Sequence, residues 1–289
     1  MPVNPAYVIH RYTDEIYKIV SFKCAWGDYE KVRLPLPKEE QQVNDDKLAN
    51  NISRARSMVF QYALCNSWDY FFTGTLDRAK YDRYNLSRFM SSLTQWVRDM
   101  RKKYTAKFQV LLIPELHKDG AWHVHGFVYG LPPERLAQFP DTAPLKLREG
   151  GFLNWPDYAA KFGFCSLAPI RDPVACAFYI TKYISKDLAQ RGSDLGQHLY
   201  FHSRPLKTAE KASAIYCRHR ALDALCDHHY DFCDTGMVED QNFAFPYIWD
   251  SAEYPEEDMH PRPLADPLQA FDPGTVDFDY EQLKMEGYL

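Results

Sequence analysis

The stretch Glu115-Leu116-His117-Lys118-Asp119-Gly120-Ala121-Trp122-His123-Val124-His125-Gly126-Phe127 decides how the chain folds around its chemistry. Its Asp-Gly pair separates two apolar runs, which is a strong local signal for a β-hairpin. We therefore expect a strand at 108–116, a turn at 118–120 and a second strand at 122–129. In a strand, residues two apart point to the same side, so His123 and His125 project together.

The length of the turn decides which further side chain shares the face of these histidines. A three-residue loop at Lys118-Asp119-Gly120 lets its glycine take the left-handed position of a bulge, and Glu115 then pairs with His123. A two-residue loop would shift the register and turn Glu115 to the opposite face. We expect the three-residue loop, which places a carboxylate beside two imidazoles.

Two imidazoles and one carboxylate with open positions suit a divalent metal that must also bind a substrate. The expected ligands are His123, His125 and Glu115, and His117 is a rival third ligand. Mixed nitrogen and oxygen donors favour Mn²⁺ or another transition metal, and Mg²⁺ is the alternative in a cell. In the simplest structural interpretation, the His-x-His pair only decorates a strand.

A second group of candidate catalytic side chains lies on a helix that is expected to begin at Asp172-Pro173 and run to about Gln190. Its spacing places four side chains on one stripe: Tyr179, Lys182, Tyr183 and Lys186. A phenol is a weak nucleophile at neutral pH, and a nearby lysine and metal would favour its ionised form. Two Tyr-x-x-Lys units one turn apart suggest two nucleophiles. The alternative is an amphipathic helix whose surface tyrosines lie beside lysines.

The remaining pattern predicts an α+β fold in which helices pack on a mainly antiparallel sheet. We expect strands at 17–24, 68–77 and 164–170, and helices at 48–65, 86–104 and 155–162. Residues 1–233 are expected to form one domain, with helical elaborations at both ends of a motif core at about 68–190. Residues 234–289 are acidic, rich in proline and aromatic residues and without a clear period, so we expect a tail.

The charge is distributed unevenly along the chain. The net charge is −5, but residues 234–289 hold 14 acidic and two basic side chains, against 32 basic and 25 acidic side chains before them. A basic body is compatible with a polyanionic partner. The sequence shows no apolar run long enough to cross a bilayer and no secretion signal, and its seven cysteines lack framework spacing. These features indicate a cytoplasmic protein.

Three segments together resemble the HUH endonucleases, most closely the two-tyrosine rolling-circle replication initiators of small single-stranded DNA phages. These segments are, in order, Phe71–Asp77, Trp122–Gly126 and Tyr179–Lys186. The resemblance covers roughly residues 68–190. It implies a ferredoxin-like or RRM-like palm, with the histidines on a central strand and the tyrosine helix packed over it. It also implies dependence on Mn²⁺ or Mg²⁺, and DNA binding by the first segment, which contains Thr73 and Thr75.

The family's activity would be nicking of single-stranded origin DNA by tyrosine attack, with a 5′-phosphotyrosine link, a free 3′-hydroxyl and later rejoining of the strand. The chain lacks a nucleotide-binding Walker loop, so strand separation would need a helicase of the bacterial host, and synthesis would need its polymerase. The chain would then act in the host cytoplasm. The chain could be encoded by a phage or by a plasmid.

Basic side chains are the candidates for contact with the DNA backbone. Arg54, Arg56 and Lys107 are expected to take part, although each charge can also simply be solvated. The segment Cys217 to Cys233 is rich in Cys and His but lacks standard zinc spacing, so a helical packing region at 220–229 is preferred over structural zinc.

Other functions remain compatible with the same residues. A relaxase or a single-strand transposase of the same superfamily would share the histidine site. A non-catalytic RRM-like module that binds nucleic acid would need neither tyrosine.

Overall fold

The computed structural model describes residues 5–23, 40–104, 107–184, 199–216, 218–230, 233–240 and 262–263, with the backbone alone at 40–47. The α+β class expected from the sequence is confirmed, because helices accompany two antiparallel sheets. The elements separate into two compact units.

The first unit is built mainly of strands. It contains β1 (Tyr7–Arg11), β2 (Ile16–Phe22), β10 (Glu210–Ile215), α6 (Arg220–Asp223), β11 (His228–His229), β12 (Cys233–Glu239) and β13 (Arg262–Pro263).

The second unit contains the longer helices, the histidine hairpin and the helix that leads to the two tyrosines. Its helices are α1 (Glu40–Leu64), α2 (Leu86–Lys103), α3 (Leu145–Glu149), α4 (Pro156–Lys161) and α5 (Pro173–Thr181). Its strands are β3 (Tyr70–Gly74), β4 (Gln109–Leu116), β5 (Trp122–Tyr129), β6 (Ala137–Gln138), β7 (Leu153–Asn154), β8 (Cys165–Pro169) and β9 (Phe201–His202). A short 3-10 turn covers Pro133–Arg135.

The sheet of the second unit has the strand order β6-β7-β8-β3-β5-β4-β9, and all its neighbours are antiparallel. Strand β5 lies between β3 and β4, and residues 122–128 are all buried. A Cβ at Gly126 would lie only 2.0 Å from the carbonyl oxygen of Leu111 on β4. The glycine after the second histidine therefore permits the close approach of the neighbouring backbone.

The two faces of this sheet receive different helices. On β3, Phe72 contacts the rings of Trp155 and Tyr158 in and before α4. The preceding side chain, Phe71, contacts Tyr179 of α5 with ring centroids 5.7 Å apart. Because neighbouring side chains on a strand point to opposite faces, α4 and α5 cover opposite sides of the sheet.

Helix α2 agrees closely with the helix expected at 86–104. It begins after Asn85, whose side chain accepts the backbone N–H of Arg88 over 2.9 Å, an N-cap of the usual kind. Its buried residues include Leu86, Phe89 and Trp96, and the Trp96 ring lies 4.9 Å from that of Trp155. The apolar face of α2 thus packs on the α4 side of the sheet.

Two predicted helices end earlier than expected. Helix α5 ends at Thr181, and Lys182, Tyr183 and Ile184 follow in a tighter turn, each donating its N–H to the carbonyl three residues before it. The expected continuation from residue 185 lies outside the described residues. Helix α6 covers only Arg220–Asp223 of the helix expected at 220–229, and residues 228–229 form β11 instead.

The first unit includes residues that were expected to belong to the acidic tail. The expected boundary after residue 233 falls inside β12, which pairs along its full length with β2. Its core consists of Tyr7, Ile9, Tyr17, Ile19, Ile215, Leu222, Cys226 and Val238. The alternation of β12 was obscured by its acidic residues, and its partner strand lies more than two hundred residues away in sequence. Among the described residues, no helix has the length and apolarity needed to span a membrane.

Two leucines that each open a helix of the second unit test this packing. Leu86 is 1% exposed at the start of α2, whereas Leu145 is 56% exposed at the start of α3. We expect Leu86→Ala to lower the free energy of unfolding by about 2–5 kcal/mol, because it leaves a cavity. The matched Leu145→Ala should change it by less than about 0.5 kcal/mol. Urea titration followed by tryptophan fluorescence measures both, and equal losses would contradict the packing.

Candidate active site

The hairpin turn has the three-residue form expected from the sequence. The N–H of His117 donates to the carbonyl of Ala121 over 2.9 Å, and the N–H of Gly120 donates to the carbonyl of His117 over 2.9 Å. Gly120 has a φ of +82°, which glycine adopts without strain. Glu115 therefore pairs with His123 across the ladder, and the expected register is confirmed.

This register gathers imidazoles and carboxylates on one face of the β4–β5 ladder. Nε2 of His125 lies 2.7 Å from Oε2 of Glu115. The rings of His117 and His123 stack with centroids 4.7 Å apart. Oδ1 of Asp119, in the turn, lies 3.6 Å from Nδ1 of His117. Each of the two candidate third ligands thus contacts one histidine of the His-x-His pair.

Thr73 holds the other side of the His125 ring. Its Oγ1 lies 3.2 Å from Nδ1 of His125, and the two residues pair directly between β3 and β5. Because Nε2 faces Glu115, both ring nitrogens have partners and the plane of the ring is fixed. A hydrogen bond at the second nitrogen is the usual way in which proteins orient a ligating histidine.

The environment keeps the donor atoms in the protonation states that a cation needs. Burial, together with the charges of His117 and His125, lowers the pKa of His123 to about 4, so this imidazole is neutral near pH 7. Burial alone would raise the pKa of Glu115. The hydrogen bond with His125 and the charges of the imidazoles lower this pKa by more than burial raises it. The pKa of Glu115 therefore lies below its ordinary value, and the carboxylate is ionised near pH 7.

The donor set fits a divalent cation in its chemistry. Across the part of the chain that the structure describes, no group of three or more His, Cys, Asp or Glu side chains is already arranged to hold a metal ion. Glu115 and His125 instead hydrogen bond to each other. A carboxylate and imidazoles on one face nevertheless match the oxygen and nitrogen ligands of Mn²⁺ or Mg²⁺. On binding a cation, Glu115 and His125 would give up their hydrogen bond to each other and contact the cation instead.

The tyrosines lie at the end of α5. This helix begins after Asp172, whose side chain accepts a backbone N–H of the first turn over 2.8 Å, and Pro173 occupies its first position. The expected start of the helix is therefore confirmed. Tyr179 lies within α5, whereas Tyr183 lies in the tighter turn that follows Thr181.

Tyr183 is the side chain that joins the helix to the histidine strand. Its ring stacks on that of His125, with centroids 4.0 Å apart and an angle of 6° between the planes. Its hydroxyl donates to the hydroxyl of Tyr179 over 3.1 Å. Both phenols are buried, Tyr179 being 8% and Tyr183 3% exposed. The structure thus brings the expected tyrosine pair and the expected histidine pair to one face of the sheet.

Lys182 lies against the two phenol rings. Its Nζ is 3.4 Å from the ring centroid of Tyr179 and 5.0 Å from that of Tyr183. A cation over an aromatic face is attracted by the electrons of the ring. Contact between Lys182 and a phosphate stays a prediction. Lys186 lies outside the described residues.

Arg56 has a role that the sequence did not reveal. Its Nε donates to the carbonyl oxygen of Ile184 over 3.0 Å. That carbonyl belongs to the residue directly after Tyr183. Helix α1, which carries Arg56, also contacts α5 through Phe60 and Phe178, whose ring centroids are 4.9 Å apart. Arg56 therefore fixes the turn that holds Tyr183.

Three other residues expected to contact DNA differ in how exposed they are. Thr75 is buried, and its hydroxyl donates to the carbonyl of Phe164 over 3.1 Å. Lys107 is exposed before β4, and eight residues of about 3.3 Å each separate it from Glu115 at the opposite end of the hairpin. Arg54 is exposed on α1. Contact of these residues with DNA stays a prediction.

The stretch rich in Cys and His lies in the first unit. Cys226 is buried in its core, whereas His228 and His229 are exposed on β11. Cys217 lies outside the described residues. The preference for packing over a zinc site is compatible with the buried position of Cys226.

The two arginines of α1 provide a matched test of the Arg56 contact. Arg56→Ala should lower the free energy of unfolding by about 1 kcal/mol, because it removes a hydrogen bond from a charged donor at a partly exposed position. Arg54→Ala, two residues earlier on the same helix, should stay within about 0.5 kcal/mol of the unmodified protein. Thermal unfolding followed by circular dichroism measures both. Equal stabilities of the two variants would show that the Arg56 contact contributes nothing.

One comparison with known proteins is informative. Residues 69–188 match the model of a protein family described as replication-associated protein ORF2/G2P. No curated protein and no solved structure matches the chain. The matched segment lies within the second unit and includes the histidine hairpin, Tyr179 and Tyr183. The part of the chain that holds the candidate site is therefore similar to replication-associated proteins of the ORF2/G2P family.

Proposed function

We propose that the protein starts rolling-circle replication by nicking single-stranded DNA at an origin with a tyrosine nucleophile, and later rejoins the strand. The observation that carries this proposal is the stacking of Tyr183 on His125 while its hydroxyl contacts Tyr179. Two phenols thereby lie beside the imidazoles and the carboxylate that can hold a cation. The similarity of this segment to replication-associated proteins supports the same function.

The strand order supports a ferredoxin-like palm as the scaffold. Four strands follow one another along the chain as β3, β4, β5 and β8, with α2 after the first and α4 before the last. In space they lie in the order β8-β3-β5-β4, all antiparallel. This order is compatible with the β-α-β-β-α-β arrangement of ferredoxin-like folds and supports the proposed palm. The histidines then occupy a central strand, and α5 covers the face to which they point.

The nicking step needs a nucleophile, a held phosphate and stabilisation of negative charge. The oxygen of one tyrosine gives its proton to solvent and forms a bond with phosphorus, while the bond between phosphorus and the 3′ oxygen breaks. The 3′ oxygen takes a proton from solvent and leaves as a hydroxyl. The 5′ phosphate stays on the tyrosine. Rejoining is the reverse reaction, in which a 3′-hydroxyl attacks the phosphotyrosine.

Different residues around the phenols would meet these requirements. His123, His125 and Glu115 would hold Mn²⁺ or Mg²⁺, which when bound supplies positive charge to a phosphate oxygen. Thr73 orients His125. The ammonium group of Lys182 offsets negative charge on the phenol oxygens. Burial of both tyrosines strengthens these electrostatic effects, because little water screens them.

Two tyrosines give the protein a second nucleophile while the first holds a DNA end. Because the hydroxyl groups of Tyr179 and Tyr183 are hydrogen bonded to each other, both lie within reach of one phosphodiester. One can retain the first end after nicking, and the other can cut the regenerated origin after a round of synthesis. The chain would rely on a host helicase to separate the strands and on a host polymerase to extend the free 3′-hydroxyl.

Removal of the nucleophiles tests the chemistry. The double variant Tyr179→Phe/Tyr183→Phe should form no covalent adduct with DNA, whereas each single variant should retain one nucleophile and form some adduct. A denaturing gel with labelled single-stranded origin DNA and Mn²⁺ detects the adduct. Tyr200→Phe, which removes the hydroxyl of a half-buried tyrosine near β9, is the control and should react like the unmodified protein.

The possible outcomes separate the candidate functions. An adduct with the double variant would contradict the assignment of these two nucleophiles. A protein that binds the DNA but forms no adduct even when unmodified would be a non-catalytic nucleic-acid-binding module. A relaxase or transposase would form the same adduct on a transfer origin or an element end instead of a replication origin.

Titration of the protein with Mn²⁺ tests the ligands. We expect His123→Ala, His125→Ala and Glu115→Gln each to weaken Mn²⁺ binding by more than about 100-fold, since loss of a second-shell partner alone costs about 10- to 100-fold. His117→Ala should weaken binding less, because the ionised carboxylate of Glu115 directly contacts His125. Isothermal titration calorimetry measures the affinities. If His117→Ala bound Mn²⁺ more weakly than Glu115→Gln, His117 would be the third ligand. If all four variants bound Mn²⁺ like the unmodified protein, these residues would not form a metal site.

A further inference from the structure

Tyr84 is an exposed aromatic ring on a firmly held backbone. The side chain is 61% exposed, although it precedes the buried start of α2. Its N–H donates to Oδ1 of Asp82 over 3.0 Å. The carbonyl of the preceding residue, Arg83, accepts the N–H of Trp122 over 2.9 Å. The backbone that carries the ring is therefore bonded to Trp122 at the start of β5, one residue before His123.

The Tyr84 ring lies beside the hairpin turn that positions the candidate ligands. A Cβ built on Gly120 would lie 3.7 Å from both Cδ1 and Cε1 of the ring, which is ordinary van der Waals distance. The neighbouring turn residue, Asp119, contacts His117 at 3.6 Å and the guanidinium of Arg83 at 3.7 Å. One set of short contacts thus joins the backbone of Tyr84, the turn and the histidine cluster.

Charged groups of both signs lie near the ring. The guanidinium of Arg83 lies 5.9 Å from the centroid of the Tyr84 ring, but Arg83 is 7% exposed and contacts Asp119. Lys118 is exposed in the adjacent turn, and Asp82 accepts the N–H of Tyr84. Unpaired bases stack on aromatic side chains whatever their sequence, and basic side chains attract the phosphates between them.

We infer that Tyr84 is a stacking platform for an unpaired base of the single-stranded DNA, beside the hairpin turn that contains Asp119 and Gly120. The inference rests on the proposed function, and it names the contact that keeps the substrate strand on the hairpin side of the site. Stacking recognises the face of a base and not its edge, so the contact adds affinity and position without selecting one base.

Other exposed apolar side chains of the described residues provide the comparison. Tyr216 and Tyr230 are 60% and 56% exposed, but they belong to the first unit. Leu145 is equally exposed in the second unit but has no aromatic face. Tyr216 therefore matches Tyr84 in chemistry and exposure while lying in a different unit.

Fluorescence anisotropy with a labelled single-stranded oligonucleotide of mixed sequence tests the inference. The titration is done with chelator present, so that binding is measured without cleavage. Tyr84→Ala should weaken binding by about tenfold, which is the scale of losing one base–aromatic stack. Tyr84→Phe, which keeps the ring, should bind like the unmodified protein, and so should the control Tyr216→Ala. Circular dichroism confirms that each variant is folded.

Several results would overturn the inference. These are unchanged affinity of Tyr84→Ala, an equal loss in Tyr84→Ala and Tyr84→Phe, and an equal loss in the Tyr216→Ala control. Failure of the inference and failure of the proposed function are distinguishable. If the unmodified protein forms the covalent adduct but Tyr84→Ala binds normally, only the stacking role is lost. If Tyr84→Ala binds weakly but no protein forms an adduct, only the nicking function is lost.

Discussion

The pairing of Glu115 with His123 across a three-residue turn is the constraint on which the rest of the site depends. A shift of one residue would move the carboxylate to the face covered by α2 and α4, away from the tyrosines. Backbone hydrogen bonds of the turn and a glycine with positive φ oppose that shift. The separate register between β3 and β5 places Thr73 beside His125. Local backbone geometry thus selects the chemical groups that share one surface.

The contact between α5 and this surface is also held from outside the sheet. The helix ends at Thr181, and the turn after it carries Tyr183 onto the His125 ring. Arg56 binds the carbonyl at the end of this turn, while Phe60 packs α1 against α5. The buried phenols are therefore held by the His125 ring on the sheet and by the packing of α1 against α5. Such fixed placement of reacting groups is how enzymes avoid ordering them during the reaction.

The parts that the sequence predicted correctly are those decided by neighbouring residues. The hairpin, its register and the start of α5 depend on short segments with distinctive turn and capping residues. The Arg56 contact was missed because it joins residues 128 positions apart, and no local pattern indicates which helices pack together. Strand β12 was taken for a tail because its partner β2 lies at the other end of the chain.

A crystal structure of the protein soaked with Mn²⁺, with the metal located by its anomalous scattering, tests whether this surface holds a cation beside the tyrosines. We expect one strong peak within coordination distance of His123, His125 and Glu115, on the face where Tyr183 lies. A peak only at the exposed His228 and His229 of the first unit, or phenols turned to the opposite face of the sheet, would contradict it.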